Sequence, residues 1–85
     1  MEKRYKLYDS ADKTLYIGVD SNYFKLNDAK NIYKKSTNSE SEDDSILIQI
    51  AKDKASEVEA EVTFGVEEGE RFALALLNLC SSIKR

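Results

Sequence analysis

The fold is decided by the stretch Val58-Glu59-Ala60-Glu61-Val62-Thr63-Phe64-Gly65-Val66, in which apolar and other residues alternate without a break. A period of two is typical of a strand with one solvated side, so this stretch predicts a strand between a hydrophobic core and water. The side chains expected on its inner face are Val58, Ala60, Val62, Phe64 and Val66. Those expected on its outer face are Glu57, Glu59, Glu61 and Thr63.

Three more strands are predicted upstream. The stretch Ile46-Leu47-Ile48-Gln49-Ile50 is short, β-branched and alternating, and a polar link after it suits a hairpin loop. We therefore expect it to pair antiparallel with the strand that follows. The N-terminal region has the same plan, because residues 5–8 and 14–19 alternate on either side of a turn at 9–13. The sequence thus predicts two hairpins.

The segment between the hairpins is ambiguous. Tyr23-Phe24-Lys25-Leu26 suits a strand, whereas residues 27–35 fit either a capped helical turn or a continued strand. We favour the strand. After it, residues 36–45 include no apolar side chain, so we interpret them as a mobile acidic loop.

From residue 67 to residue 85 the period becomes helical. The apolar side chains fill an arc of roughly 200° around the helix, and Leu74 lies outside it. Acidic residues at the start and basic residues at the end match the helix macrodipole. The arc contains Phe72, Ala73, Ala75, Leu76, Leu77, Leu79, Cys80 and Ile83.

Together these elements predict an α+β fold in a single domain, 1–85. We expect an antiparallel sheet of four or five strands (two hairpins plus a linking segment) covered by one C-terminal amphipathic helix, 67–85. The apolar arc is wider than one flat contact requires, so either a curved sheet wraps the helix or part of the helix meets another chain. In the second case, a homodimer, we expect the interface at Ala73, Leu74 and Leu77.

Composition indicates a small acidic protein that folds without disulfides. The net charge is −3, but residues 1–35 carry +3, residues 36–70 carry −9 and residues 71–85 carry +3. A pI near 4.9 argues against a general nucleic-acid binder. One cysteine allows no internal disulfide, and no apolar run follows the charged N-terminus. We therefore expect a cytoplasmic protein without a signal peptide or a membrane span.

The residue types present exclude most catalytic chemistry. The chain has no histidine, which removes histidine-based acid–base catalysis, Ser-His and Cys-His nucleophiles and histidine metal sites. Gly65 and Gly69 are too few for a phosphate-binding loop, and the acidic loop lacks the residue spacing of a calcium loop. We interpret Cys80 as a small buried hydrophobe. We therefore expect no enzymatic activity, no cofactor and no metal.

The first functional hypothesis is an acidic docking surface. Glu57, Glu59 and Glu61 lie on the outer face of the strand predicted at 58–66. Neighbouring glutamates of this set are about 7 Å apart, near the spacing of phosphates along a nucleic-acid strand. The simpler interpretation is a solvated sheet face. The hypothesis is an adaptor or inhibitor, of the kind that bacteria and mobile elements encode, that binds a larger protein with a basic surface. Its candidate residues are Glu57, Glu59, Glu61, Glu40, Glu42, Asp43 and Asp44.

Two alternatives belong to other classes, and we rank both below the acidic docking surface. In one, the N-terminal hairpin binds nucleic acid, because tyrosines can stack on bases while cations contact phosphates. Cross-strand tyrosine pairs are also ordinary sheet stabilisation. In the other, the C-terminal helix joins copies of the chain into a structural assembly. The candidate nucleic-acid face consists of Arg4, Lys6, Tyr8 and Tyr16.

Overall fold

The computed structural model describes residues 4–54 and 57–85. In chain order its elements are β1 (Tyr5–Tyr8), β2 (Leu15–Ser21), α1 (Leu26–Thr37), β3 (Ile46–Lys52), β4 (Val58–Phe64) and α2 (Val66–Lys84). The strands form one antiparallel sheet in the order β1-β2-β3-β4. The predicted α+β class, both hairpins and the C-terminal helix are therefore confirmed.

Residues that lie directly opposite each other on neighbouring strands bring apolar side chains from all four strands to one face of the sheet. Val19 lies opposite Tyr5 on one side and opposite Ile48 on the other, and Ile48 in turn lies opposite Val62. Directly opposed residues share a face of the sheet. The surface that results, the apolar sheet face, consists of Tyr5, Leu7, Ile17, Val19, Ile46, Ile48, Ile50, Ala60, Val62 and Phe64. The polar sheet face, on the other side, carries Lys6, Tyr8, Tyr16, Gln49, Glu61 and Thr63.

The linking segment is a helix, so the prediction of a fifth strand is wrong. Asp28 in the first turn of α1 and Lys34 and Lys35 in the last turn suit the helix macrodipole. Ala29 is buried where α1 meets the end of the sheet. This tertiary burial overrides the weak local preference for a strand. The helix also includes residues 36 and 37, the first two of the predicted acidic loop.

A β-bulge in β4 makes one part of the predicted strand pattern wrong. Ala60 lies opposite Ile50, whereas Val58 lies opposite Ala51, so the pairing shifts by one residue. Because Ile50 and Ala51 are neighbours that point to opposite faces, Val58 leaves the face that Ala60 occupies. Val66, the last residue of the predicted inner face, is the first residue of α2.

Helix α2 does not cover the sheet in the single chain, in contrast to the prediction. Side chains that we expected to seal the domain face solvent: Phe72 is 59%, Leu76 52% and Ile83 74% exposed. Among the described residues the buried apolar ones are both small, Ala29 and Ala51. The apolar sheet face therefore lacks the helical layer that an amphipathic sheet normally packs against.

The molecule is flat and extended for its size. Its principal extents are 43 × 40 × 17 Å and its radius of gyration is 14.8 Å, whereas a compact chain of this length has a radius of about 12 Å. The accessible surface is 6798 Å², whereas a compact monomer of this mass exposes about 5,100 Å². The chain thus exposes roughly 1,700 Å² more than a compact monomer.

Candidate interaction surface

An open trough lies between the apolar sheet face and the first half of α2. Its volume is about 610 Å³, and Glu70 is the one charged residue among the described residues that line it. A concave apolar surface with aromatic side chains is typical of a site for a hydrophobic partner. The lining residues are Tyr5, Leu7, Ile17, Val19, Ile46, Ile48, Phe64, Val66, Gly69, Glu70, Phe72, Ala73 and Leu76.

The joint between β4 and α2 is Gly65 alone, and Asp43 holds it in place. Oδ2 of Asp43 accepts a hydrogen bond from the Val66 backbone N–H at 2.8 Å, and Oδ1 accepts one from the Ser45 N–H at 3.0 Å. Because Gly65 has no side chain, Asp43 supplies the acceptor that the first turn of α2 needs. Burial raises the pKa of Asp43, but the hydrogen bonds from Val66 and Ser45 outweigh it and hold that pKa below its ordinary value.

Close packing sets the direction in which α2 leaves the sheet. A Cβ atom on Gly65 would lie 2.8 Å from the Cβ of Asp43, so the loop can approach this closely only because residue 65 is glycine. The rings of Phe64 and Phe72 meet edge to face, with their centroids 6.5 Å apart. A Cβ atom on Gly69 would lie 3.2 Å from the Phe64 ring. Contacts on both sides of the joint therefore fix its angle.

The second half of α2, residues 77–84, extends beyond the trough as an arm. The trough lining ends at Leu76. Beyond it Leu77, Leu79 and Ile83 are exposed. Cys80 is exposed as well, so the interpretation of this cysteine as a buried residue is wrong for the single chain. The arm is an apolar helical surface that no part of the described chain covers.

The three residues predicted for a homodimer interface lie on different parts of α2. Ala73 lines the trough, and Leu77 begins the arm. Leu74 lies about 160° around the helix axis from Leu76, on the side away from the trough. The structure therefore brings only Ala73 of these three to the apolar sheet face.

The seven acidic candidates are spread along β4 and the loop beyond its end. Glu57 comes just before this strand, whereas the side chain of Asp43 contacts Gly65 just after it. An extended chain covers about 27 Å between residues 57 and 65. Glu61 lies between them, and its Oε2 accepts a hydrogen bond from Nε2 of Gln49 at 3.0 Å. The structure does not bring the acidic candidates into one cluster.

Two of the loop carboxylates hold the fold together. Asp43 caps α2, and Oδ1 of Asp44 accepts a hydrogen bond from the Tyr23 hydroxyl at 2.7 Å. This hydrogen bond raises the pKa of the Tyr23 phenol, and burial and the charges of Asp44 and Asp43 add to the effect. The exposed carboxylates of the loop are Glu40 and Glu42.

Three of the four basic and aromatic candidates form a cluster on the polar sheet face. Nζ of Lys6 lies 4.6 Å from the centroid of the Tyr16 ring, and the rings of Tyr8 and Tyr16 are 5.5 Å apart. The Tyr8 hydroxyl donates to Oδ1 of Asp53 at 3.2 Å. Partial burial, followed by this hydrogen bond, raises the pKa of the Tyr8 phenol.

The fourth candidate, Arg4, is already paired. Its Nε lies 3.7 Å from Oδ1 of the buried Asp20. Lys6 is likewise stacked on Tyr16. These internal partners are what a self-contained sheet surface uses for its own stability.

A smaller cavity, of about 320 Å³, lies beside α1. Oδ2 of Asp20 and Oγ of Ser45 are buried there and find no hydrogen-bond partner among the described residues. The neighbouring Ser21 hydroxyl, in contrast, donates to the backbone oxygen of Tyr23 at 3.0 Å. Because an unpaired buried polar atom costs free energy, the Asp20 and Ser45 atoms lower the stability of this end of the fold.

Among residues 4–54 and 57–85, no group of three or more cysteine, aspartate or glutamate side chains is placed to hold a metal ion. In the same part of the chain, neither helix combines the length and the apolar character that a membrane crossing requires. Comparison of the chain with protein-family models, with curated proteins and with solved structures found no match.

Proposed function

We propose that this chain is a non-catalytic protein-binding module and that the trough, together with the arm, is its binding surface. One observation carries the proposal: the apolar sheet face is open to solvent. Tyr5 is 64% and Leu7 53% exposed. Monomeric soluble proteins rarely expose a large contiguous apolar patch unless it binds a partner.

The composition of the trough supports the same conclusion. Interface centres are depleted in charge and enriched in aromatic residues. The trough matches this pattern, because Tyr5, Phe64 and Phe72 line it and, in the part of the chain that the structure describes, Glu70 is its one charged residue. These aromatic side chains are the candidate anchors of binding. An exposed single cysteine suits a reducing compartment, so we place the module in the cytoplasm.

The acidic surface is a second candidate for binding a basic partner. Glu57, Glu59 and Glu61 are exposed, and none of them lines the trough, although the bulge in β4 puts Val58, and not Glu57, on the face that Glu61 occupies. A basic protein could therefore dock there while the trough is occupied. Reversing all three charges, as Glu57→Lys, Glu59→Lys and Glu61→Lys, would abolish such docking and leave binding at the trough unchanged.

Photo-crosslinking at two adjacent positions tests the proposal. A benzophenone amino acid at position 7 faces the trough, whereas the same probe at position 6 projects from the polar sheet face. We expect the probe at position 7 to form crosslinks to a separate polypeptide, and the matched probe at position 6 to form far fewer. Crosslinks from position 7 to the arm of the same chain, at its mass of 9.7 kDa, would show that α2 closes over its own sheet and would overturn the proposal.

A further inference from the structure

We infer that the occupant of the trough is a second copy of this chain, in a two-fold dimer in which the arm of each copy packs on the apolar sheet face of the other. This inference rests on the proposed function, because it names the partner of the same surface.

The first reason is that one chain carries both halves of a sandwich that it does not assemble. Within residues 4–54 and 57–85, no helix lies over the apolar sheet face and no strand lies under the apolar stripe of the arm. Ile17 on the sheet and Leu79 on the arm are both exposed. A sheet with one apolar face must bury it against another layer. The arm supplies the helical layer that the apolar sheet face lacks, and the apolar sheet face supplies the layer that the arm lacks.

The second reason is that the joint holds the two halves apart within one chain. Gly65 is the single residue between β4 and α2, so the linker has no spare length. Asp43 caps the first turn of α2, and the Phe64 and Phe72 rings are packed at the angle observed. For α2 to fold back over its own sheet, these contacts would have to break. In a second copy the same surfaces meet without any change at the joint.

The third reason is the area available. Each chain exposes roughly 1,700 Å² more than a compact monomer of its mass. If each chain buried this excess surface against the other, the two chains together would bury roughly 3,400 Å² of accessible surface. This area lies within the range of obligate homodimers and well above that of a standard transient interface.

The fourth reason is symmetry. In a two-fold dimer the same contact occurs twice, so both apolar surfaces of both chains are covered at once. A partner of different sequence would need its own apolar helix and its own apolar sheet to achieve this. Glu70 is the one charged residue among the described residues that line each trough, so most of the contact between two copies is apolar.

The first experiment measures the mass in solution by multi-angle light scattering after gel filtration. We expect twice the chain mass of 9.7 kDa. Ile83→Lys places a charge on the inward stripe of the arm, and it should weaken association at least about a hundredfold. Asn78→Lys is the matched control, because residue 78 lies about 140° around the helix from residue 83, and it should leave the mass unchanged. Ile83 is 74% exposed in the single chain, so its replacement should not unfold the monomer.

The second experiment separates this arrangement from simple pairing of helices. Leu7→Lys damages the sheet surface, whereas Ile83→Lys damages the arm. Each variant alone has two damaged contacts and should be monomeric. A mixture of the two variants can form a dimer with one fully intact contact, so mixing should restore the dimeric mass. A dimer that Leu7→Lys leaves intact would overturn the inference.

The outcomes also distinguish this inference from the proposed function. A monomeric mass, together with crosslinks from position 7 to a different protein, would overturn the dimer and leave the binding module standing. A monomeric mass with crosslinks confined to the arm of the same chain would overturn both.

Discussion

Two glycines one helical turn apart should respond in opposite ways to a methyl group. A Cβ on Gly65 would lie 2.8 Å from Cβ and Oδ2 of Asp43, and it would displace the cap of α2. A Cβ on Gly69 would meet the Phe64 ring at 3.2 Å, and this ring borders the open trough and can shift. We expect Gly65→Ala to lower the free energy of unfolding by about 1–3 kcal/mol. We expect Gly69→Ala to raise it by up to about 1 kcal/mol, because alanine favours the helix.

Urea unfolding of both variants at equal concentration checks this pair. Each variant serves as the control for the other, because both add one methyl group at the start of α2. A loss of stability in Gly69→Ala as large as that in Gly65→Ala would contradict our description of the joint.

The cap that Asp43 provides should appear as a dependence of stability on pH. The folded-state pKa of Asp43 lies below its ordinary value of 3.8, so the folded state favours the carboxylate. Its contribution is therefore fully present above about pH 4 and is lost as the pH falls through the lowered pKa. Both carboxylate oxygens of Asp43 accept a backbone hydrogen bond, and asparagine keeps only one of these acceptors, so we expect Asp43→Asn to lower the free energy of unfolding at pH 7 by about 1 kcal/mol.

The measurement is urea unfolding between pH 2 and pH 7. The difference between the wild type and Asp43→Asn should shrink towards acid pH. Glu42→Gln, at the exposed neighbouring position, is the control and should change little. A difference for Asp43→Asn that stays constant down to pH 2 would contradict the role of its charge.

Ser21 and Ser45 form a second matched pair. Both are buried, but the Ser21 hydroxyl bonds to the backbone oxygen of Tyr23 and the Ser45 hydroxyl has no partner among the described residues. We expect Ser21→Ala to lower the free energy of unfolding by about 1 kcal/mol. Ser45→Ala removes an unpaired polar atom, so we expect no loss or a small gain of stability. Thermal unfolding of the two variants checks this, and a larger loss for Ser45→Ala would mean that its hydroxyl is bonded.

At the scale of elements, the arm should depend on association for its order. An isolated helix of this length is marginal in water, and most helical stability in proteins comes from packing. In the monomeric variant Ile83→Lys we therefore expect the amides of the arm to exchange hydrogen much faster than those of the first half of α2, which stays packed on Phe64. In the wild type the two halves should be protected to similar degrees.

Hydrogen exchange followed by mass spectrometry or NMR makes this comparison. Asn78→Lys is again the control, and it should exchange like the wild type. An arm that is equally protected in the monomeric variant would show that α2 needs no second copy for its order.

The elements that could be predicted from the sequence are those with an unbroken period. Strand β4 alternates over several residues, and α2 carries a long apolar stripe with charges of suitable sign at each end. The strand prediction for α1 is wrong because the short pattern there is nearly neutral between helix and strand, and the burial of Ala29 decides for the helix. The bulge at Val58 depends on pairing with β3, which a single-strand pattern does not contain.

The candidate site could be predicted only in part. The alternation of β4 shows that one face is apolar, but it does not show which layer covers that face or from which chain the layer comes. The sequence does not predict the role of Asp43 in holding the joint, because its partner Val66 is 23 residues away in the sequence. A signal was present, since a helix that starts after Gly65 has no capping side chain of its own and must find an acceptor elsewhere.

At the scale of the whole molecule, stability should depend on protein concentration. If burial of the apolar sheet face requires a second copy, association and folding are linked by mass action. We expect the melting temperature of the wild type to rise with each tenfold increase in concentration, and that of Ile83→Lys to stay constant. Differential scanning calorimetry over a hundredfold range of concentration checks this, and a wild-type melting temperature that does not change would count against a folded dimer.

The single-residue joint also sets the rotational phase of α2. Because Gly65 leaves no spare chain, the side of the helix that carries Phe72 and Leu76 is aligned with the side of the sheet that carries Phe64. One additional residue at this joint would turn the apolar stripe by about 100° and aim it at water, with every side chain of the helix otherwise unchanged. The length of this joint thus determines whether the apolar sheet face and the apolar stripe of α2 face the same side of the molecule.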